Sequence, residues 1–257
     1  MQTARNVVYQ DGGVLLVFKI LKFGILALLL AACTVPRPRN ATPQNPGESP
    51  AAPNLPLRGE VYRIDESRSE LRILVYRAGP LAHLGHNHVM INRSIHGVVD
   101  LAKTAQETKF SMEVPAAAFV VDDAQARSEE GPDFAAAVPD EAKSGTLHNM
   151  LSTSLLDAEE FPTITIKSIA VAGAPGTRSD AQDPDTLIAT VAITVAGHES
   201  RVDVPFTLRR DSDHLSVMGS FELRQTALGL TPFSLMLGAL QVQDAMRIKF
   251  EIVAVPS

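Results

Sequence analysis

Tryptophan is absent from the chain, and only one of its 257 residues, Cys33, is a cysteine. A single cysteine cannot form an internal disulfide, so the fold has to be held together by its core. Basic residues are also in deficit, since 23 Lys and Arg face 29 Asp and Glu and leave a formal net charge of −6. A broad basic surface is therefore excluded, and nucleic acid is not an expected partner.

The motifs of common enzyme classes are missing too. The chain has no G-x-S-x-G elbow, no HExxH helix and no glycine-rich phosphate loop. Asp65, Asp157 and Asp244 stand as single acids, which is more typical of turns and caps than of a catalytic pair. The sequence therefore predicts that the protein is not an enzyme.

The apolar run "FGILALLLAAC", residues 23–33, is too short for a comfortable transmembrane helix, which needs about 20 residues. Lys19 and Lys22 precede it. A positive flank, a short apolar run and small residues before a cleavage point are typical of a secretory signal peptide. The first prediction is therefore export from the cytoplasm.

The end of this run, Leu30-Ala31-Ala32-Cys33, resembles the bacterial lipoprotein signal, in which the cysteine becomes the new N-terminus and carries fatty acids such as palmitate. Residues 1–33 are thus predicted to be a lipoprotein signal peptide, with Cys33 as the lipidated anchor to a membrane. Thr34, in place of an Asp, favours the outer membrane, with the protein facing the periplasm. A plain secretory signal with an incidental cysteine is the alternative.

Two further regions follow the anchor. Residues 34–57 contain seven prolines and little to bury, which predicts an extended, disordered tether. Residues 58–257 form the predicted domain. Its short runs alternate apolar and polar side chains, the period of a β-strand. The clearest lie at 69–77, 108–114, 163–168, 186–197, 201–208, 214–223 and 244–254.

Helical periodicity is scarce in this domain. Residues 144–161 are predicted to be helical, and residues 122–143 are predicted to be a loop with a helical turn. About eight strands with one short helical insertion indicate an all-β fold, an antiparallel barrel or sandwich. A barrel of this size can enclose one ligand.

A set of ordered motifs gives the domain a recognisable pattern. It resembles the YceI-like family through Ser69 and a series of segments: "YRID" (62–65), "GHNH" (85–88), "LLDAEEFPTITIKS" (155–168), "ELRQTALGLTPFS" (222–234) and "GALQVQDAMRIKFEI" (238–252). The resemblance implies an extended, eight-stranded lipocalin-like barrel with an apolar tunnel. It also implies secretion and, as in some members, a polyisoprenoid or quinone-like ligand.

The alternating rows supply candidates for the wall of such a tunnel. Leu71, Ile73 and Val75 share one face of their strand, and Phe250 lies in a second apolar row. Small residues such as Ala189 and Gly219 favour open space between the rows. The alternative is a solid core, in which the rows pack on each other and the domain serves as an interaction module.

"HLGHNHVM", residues 83–90, carries three of the seven histidines. In a strand, His86 and His88 would share a face and, with His83, could bind a metal ion. His148, Asp122 and Asp123 are the available further ligands, but none has a spacing typical of zinc sites, so a metal is not the favoured ligand. The second interpretation has His86 and His88 binding a ligand headgroup. The third assigns them no role beyond a turn.

The sequence thus predicts a lipid-anchored periplasmic protein that holds a polyisoprenoid or other amphiphilic lipid in its barrel. A metal- or haem-binding redox accessory protein, using His83, His86 and His88, is the alternative.

Overall fold

The computed structural model describes residues 59–173 and 185–257. The predicted signal peptide, the Cys33 anchor and the tether lie outside these residues. The described strands are β1 (Glu60–Ile64), β2 (Glu70–Ala78), β3 (His88–Asn92), β4 (His96–Leu101), β5 (Lys109–Pro115), β6 (Val120–Val121), β7 (Thr163–Gly173), β8 (Asp185–Val195), β9 (His198–Arg210), β10 (Leu215–Arg224), β11 (Ser234–Leu235) and β12 (Leu240–Pro256).

These strands form one antiparallel sheet that closes on itself. Its ring runs β1-β4-β5-β7-β8-β9-β10-β12 and returns to β1. β12 closes the ring because it pairs with β10 along one edge and with β1 and β2 along the other. The fold is the predicted eight-stranded lipocalin-like barrel, because full closure leaves no edge strand in the ring.

Several strands continue around a bend. β1 leads into β2 through a 3-10 turn that begins after Asp65, whose carboxylate accepts a hydrogen bond from the Ser67 backbone N–H at 3.1 Å. β3 leads into β4 through residues 93–95, which form no turn of helix. The two bent strands pair with each other as β1–β4 and β2–β3. The bends extend the barrel wall beyond the ring to β6.

Two α-helices lie between β6 and β7: α1 (Ala124–Glu129) and α2 (Asp140–Leu151). The predicted helix over residues 144–161 is therefore wrong at both ends. α2 begins earlier because Asp140 and Glu141 favour the helix N-terminus. It ends earlier because the serines and threonine of 152–154 favour turns. In the described part of the chain, no helix combines the length and hydrophobicity needed to cross a bilayer.

The two ends of the barrel differ. The α2 end carries α2 and the loops 79–87 and 225–239. The β4–β5 end carries the β4–β5 loop, 102–108, and the β9–β10 turn, 211–214.

The interior is apolar because inward and outward side chains alternate along every strand. On β8, the inward Ala189, Val191, Ile193 and Val195 are buried. Gly219 does not leave open space, because a Cβ there would lie 2.4 Å from Cζ of Phe250. The Phe250 ring therefore fills the gap that the glycine leaves.

A second apolar cluster lies between α1 and the outer face of the sheet. Leu74, Val89, Ile91, Ala126 and Phe134 are almost fully buried there. Burial of side chains of this size stabilises the fold by roughly 1.5–3 kcal/mol each. This cluster holds α1 against β3, and α1 thereby positions Arg127 beside Asp122.

Candidate functional site

The barrel encloses a cavity of about 470 Å³. Ligand pockets in proteins usually measure about 300–1,000 Å³, so the cavity is large enough for one small amphiphile. The expected wall residues Leu71, Ile73, Val75 and Phe250 all line it. They do so because each alternates inward on β2 or β12.

The cavity is long and continuous. The inward residues of β8, from Leu187 to Val195, all contribute to its wall, and this stretch alone spans roughly 26 Å at about 3.3 Å per residue. An elongated apolar space suits an extended hydrocarbon chain better than a compact molecule. Each CH₂ group of a ligand buried there would make the free energy of binding more favourable by about 0.8 kcal/mol.

Different chemistry marks the two ends of this cavity. At the α2 end the wall is made by Met150, Leu156 and Leu228, all buried. Gln225 also lines this end, and its side-chain amide donates to the Gln243 carbonyl at 2.8 Å. At the β4–β5 end the lining includes the polar residues Lys103, Thr104, Thr108 and Arg210, and the guanidinium of Arg210 is paired with the Glu60 carboxylate at 2.5 Å. The apolar interior thus opens towards polar groups at one end.

His86 and His88 are not among the residues that line the cavity, contrary to the expectation that they would bind a headgroup there. His88 is held elsewhere, because its Nδ1 lies 2.6 Å from Oδ2 of Asp122. Its Nε2 lies 3.3 Å from Oγ1 of Thr146, whose hydroxyl donates to the Ala142 carbonyl at 2.8 Å. His88 therefore connects the start of β3 to α2.

Asp122 is the centre of this network, and its side chain is fully buried. Its Oδ1 accepts hydrogen bonds from Nη1 of Arg127 at 2.5 Å and from the Val89 backbone N–H at 2.9 Å. Asp122 has a positive φ of 56°, and the adjacent Asp123 caps α1 by accepting from the Ala126 N–H at 3.0 Å. The strained backbone and the cap together turn the chain so that Asp122 and Arg127 meet.

Arg127 joins two loop segments, one at Asn87 and one at Phe134 and Ala136, to this aspartate. Its guanidinium donates to the carbonyl oxygens of Asn87, Phe134 and Ala136 at 2.8–2.9 Å, and it lies 5.7 Å from the centroid of the Phe134 ring. A buried arginine with this many acceptors has its charge and its donors satisfied. The network is therefore a structural lock at the α2 end.

These contacts fix the pKa of Asp122. Burial alone would raise it, but the hydrogen bonds from His88, Val89 and Arg127 outweigh burial and hold the pKa below its ordinary value of 3.8. Asp122 therefore stabilises the fold as a carboxylate. This contribution to the free energy of unfolding is present above pH 3.8, the ordinary pKa. It is lost as the pH falls through the lowered pKa that Asp122 has in the folded protein.

The three histidines of the motif do not form a ligand set. The rings of His86 and His88 are 6.0 Å apart between centroids, and His83 is exposed on the turn Ala82–Leu84. Across residues 59–173 and 185–257, no group of three or more His, Cys, Asp or Glu side chains is arranged to hold a metal ion. The reason is that His88 is already engaged by Asp122 and Thr146. The metal alternative therefore finds no support at this motif.

Comparison with known proteins identifies the domain. The sequence model of the YceI-like domain matches residues 62–254 of this chain. The chain belongs to the YceI-like domain family. No match was found among curated protein sequences.

Among the solved structures that resemble this chain, BcnA shows the same fold. The crystal structure of Burkholderia cenocepacia BcnA superposes with a TM-score of 0.54 at 17% identity, covering 75% of this chain and 99% of BcnA. A polyisoprenoid binding domain from Saccharophagus degradans, at 10% identity, covers 76% of this chain and 98% of its own, with a TM-score of 0.47. The Campylobacter jejuni YCEI protein, also at 10%, covers 65% and 84%, with a TM-score of 0.43.

Two features of this YceI-like domain were not predicted from the sequence: the pairing of Asp122 with Arg127 and the polar residues at the β4–β5 end. Asp122 was considered only as a possible metal ligand, and Arg127 was not considered at all. Their spacing of five residues around the cap Asp123 is the signal that could have suggested a pair. The polar residues Lys103 and Arg210 were also missed, because they come together only when β4–β5 and β9 meet at one end of the ring.

Replacing Asp122 with Asn should destabilise the protein by about 3 kcal/mol at neutral pH, because Arg127 keeps its charge without a buried carboxylate. The difference from the wild type should shrink as the pH falls below 3.8 and through the lowered pKa of Asp122 in the folded protein, because the wild-type carboxylate then protonates as well. Urea unfolding of both proteins at neutral pH and at a series of acidic pH values measures it.

The matched control is Asp213→Asn. Asp213 also pairs with a histidine, His214, at 2.8 Å, but on the surface. Solvent screens this pair, so its replacement should change the unfolding midpoint little. Equal effects of the two replacements would contradict the role given to Asp122.

Proposed function

We propose that this protein is a binding protein that carries a polyisoprenoid or other amphiphilic lipid in the barrel interior. The observation that carries the proposal is the continuous apolar cavity of about 470 Å³. A solid core would leave no such space, and a site for a polar ligand would place more hydrogen-bonding groups along the wall.

The distribution of polar groups suggests how such a ligand would lie. The hydrocarbon chain would occupy the part of the cavity lined by β8 and β12. Lys103 at the β4–β5 end could meet a polar or anionic headgroup, whereas Arg210 is already paired with Glu60. An isoprenoid or quinone-like lipid has this division into a long apolar part and a compact polar part. The Saccharophagus degradans domain, described as polyisoprenoid binding, indicates which ligand class to test first.

The proposal places the domain in the bacterial cell envelope. Residues 1–33 would direct export, Cys33 would carry the lipid anchor, and residues 34–57 would link the anchor to the barrel at the outer membrane, facing the periplasm. This part rests on the sequence pattern around Cys33.

Replacing Ala189 with Phe should weaken the binding of a short isoprenoid alcohol such as farnesol about tenfold or more. Ala189 lines the cavity, and a ring there would displace the equivalent of at least two buried CH₂ groups, about 1.6 kcal/mol. Isothermal titration calorimetry measures the change, and wild-type binding should show a negative heat-capacity change.

Ala192→Phe is the matched control. Ala192 lies three residues further along β8 and is not part of the cavity wall, so its replacement should leave the affinity unchanged. Binding that both variants retain in full would place the ligand outside the barrel.

Replacing Cys33 with Ser should abolish lipid attachment. Mass spectrometry of the chain isolated from bacterial membranes should show acyl chains on the wild type and none on the variant, which should also lose its membrane association or its processing after residue 32. Wild-type protein that carries no acyl chain would exclude the anchor.

A further inference from the structure

The tip of the β11–β12 hairpin exposes three consecutive large apolar side chains. Leu235, Met236 and Leu237 are 48%, 71% and 109% exposed. Few large apolar residues in the described part of the chain are this exposed, and another, Leu84 at 62%, lies on the neighbouring loop 79–87. Clustered exposed apolar side chains mark interaction sites more often than single ones do.

The backbone holds these side chains out at a cost. Met236 and Leu237 have positive φ values of 50° and 56°, and Gly238 follows at 90°. Left-handed backbone is unfavourable for bulky residues, and such strain persists where the surroundings enforce it, typically at functional positions. The backbone conformation of the turn therefore keeps the side chains of Met236 and Leu237 exposed.

Hydrogen bonds fix the hairpin to the barrel. The Val242 N–H donates to the Phe233 carbonyl at 2.9 Å, which closes the base of the hairpin, and the Leu81 N–H donates to the Ala239 carbonyl at 2.8 Å. Gly79, at φ +88°, allows this approach, since a Cβ there would lie 2.5 Å from the Ala239 carbonyl oxygen. The apolar tip and the loop with Leu84 thus form one surface at the α2 end.

The two segments that form this surface contain no acidic residue, lysine or arginine, and the guanidinium of Arg77 lies against the first of them, where it donates to the Gly85 carbonyl at 2.7 Å. No Asp, Glu, Lys or Arg occurs from residue 78 to residue 92 or from residue 225 to residue 243. The tip therefore carries no group that would resist transfer into a hydrocarbon environment, and no cationic cluster that would adsorb electrostatically to anionic lipids.

The same segment reaches the cavity. Leu228 and Leu230 line the cavity wall, and the β11–β12 hairpin begins four residues after Leu230, at Ser234. One continuous segment therefore connects the interior of the barrel to the exposed apolar tip.

We propose that the 235–237 tip, together with Leu84, inserts into the interface of a lipid bilayer and docks the α2 end of the barrel on the membrane. The proposal rests on the proposed function, because a carrier of a membrane-soluble ligand has to meet the bilayer in order to exchange it. The docking depends on apolar insertion and requires no anionic lipid.

The length of the chain before the barrel allows this docking. Residues 34–58 can span at most about 80–90 Å when fully extended. The 17 residues of β12 extend over about 58 Å. A lipid on Cys33 and the tip at the α2 end are thus able to reach one membrane.

The absence of tryptophan supplies a direct test in the full-length chain. In Leu237→Trp, the only tryptophan lies at the tip. Its emission should shift to shorter wavelength when phosphatidylcholine vesicles are added, and brominated phosphatidylcholine should quench it. Both effects should persist at high salt and without phosphatidylglycerol. The control Ser212→Trp, at the exposed turn of the β4–β5 end, should show neither effect.

A matched pair of methionines tests the apolar contact. Adding Met236→Asp to Leu237→Trp should reduce vesicle-induced quenching about tenfold or more, and Asp accepts left-handed backbone better than Met, so folding should be preserved. Adding Met218→Asp, which replaces a 40% exposed methionine on β10, should leave the quenching intact.

Three outcomes would overturn the proposal. The first is a tryptophan emission of the Leu237→Trp variant that stays the same when vesicles of any composition are added. The tip would then be a binding site for a protein partner and not for lipid. The second is a shift that requires phosphatidylglycerol and disappears at high salt. The third is equal quenching of the tryptophans introduced at positions 212 and 237. Failure of the proposed carrier function can be distinguished from failure of membrane docking. In that case native mass spectrometry would show no isoprenoid adduct, while the tryptophan of the Leu237→Trp variant would still insert into vesicles.

Discussion

Closure of the sheet through β12 is the constraint on which the rest of the structure depends. This strand uses both of its edges, pairing with β10 on one side and with β1 and β2 on the other. Once the ring is closed, the number of strands fixes its width, and side-chain alternation makes its interior apolar. The side chains on the wall then decide how much of that interior stays open.

The balance between filled and open space is set residue by residue. The ring of Phe250 occupies the space beside Gly219, so the glycine adds no volume to the cavity. Ala189 is different, because it lies among the residues that border the cavity. A closed ring cannot collapse onto a void as easily as two separate sheets can, so the cavity is a stable property of the fold. A hydrocarbon ligand there would supply the packing contacts that the wall residues cannot make with one another.

The α2 end combines a rigid lock with an apolar surface. Asp122, His88 and Arg127 bind β3, α1 and the loop around Phe134 to one another through charge-assisted hydrogen bonds. Beside this lock, the strained hairpin displays Met236 and Leu237. The end that closes the cavity with apolar side chains is thus also the end suited to contact with lipid, while polar side chains gather at the β4–β5 end.

The sequence predicted most of the barrel, because period-two alternation is a local property. The strands around Leu71, Ile193 and Ile248 were predicted from it, and so was the inward direction of Leu71, Ile73, Val75 and Phe250. β1 and β4 were missed because each is short, with five residues before a bend in β1 and six residues after a bend in β4. The function of His88 could not be predicted, since its partners Asp122 and Thr146 lie 34 and 58 residues away. Long-range pairing of polar groups leaves no periodic signal.

The central claim is that the closed barrel holds an apolar guest. Native mass spectrometry of the protein, purified from its native host without detergent, tests it most directly. The account predicts a chain that carries one hydrocarbon-rich molecule, which is released when the barrel unfolds. A native mass equal to that of the same chain after unfolding, together with a crystal structure showing ordered water along the wall between Leu187 and Val195, would contradict it.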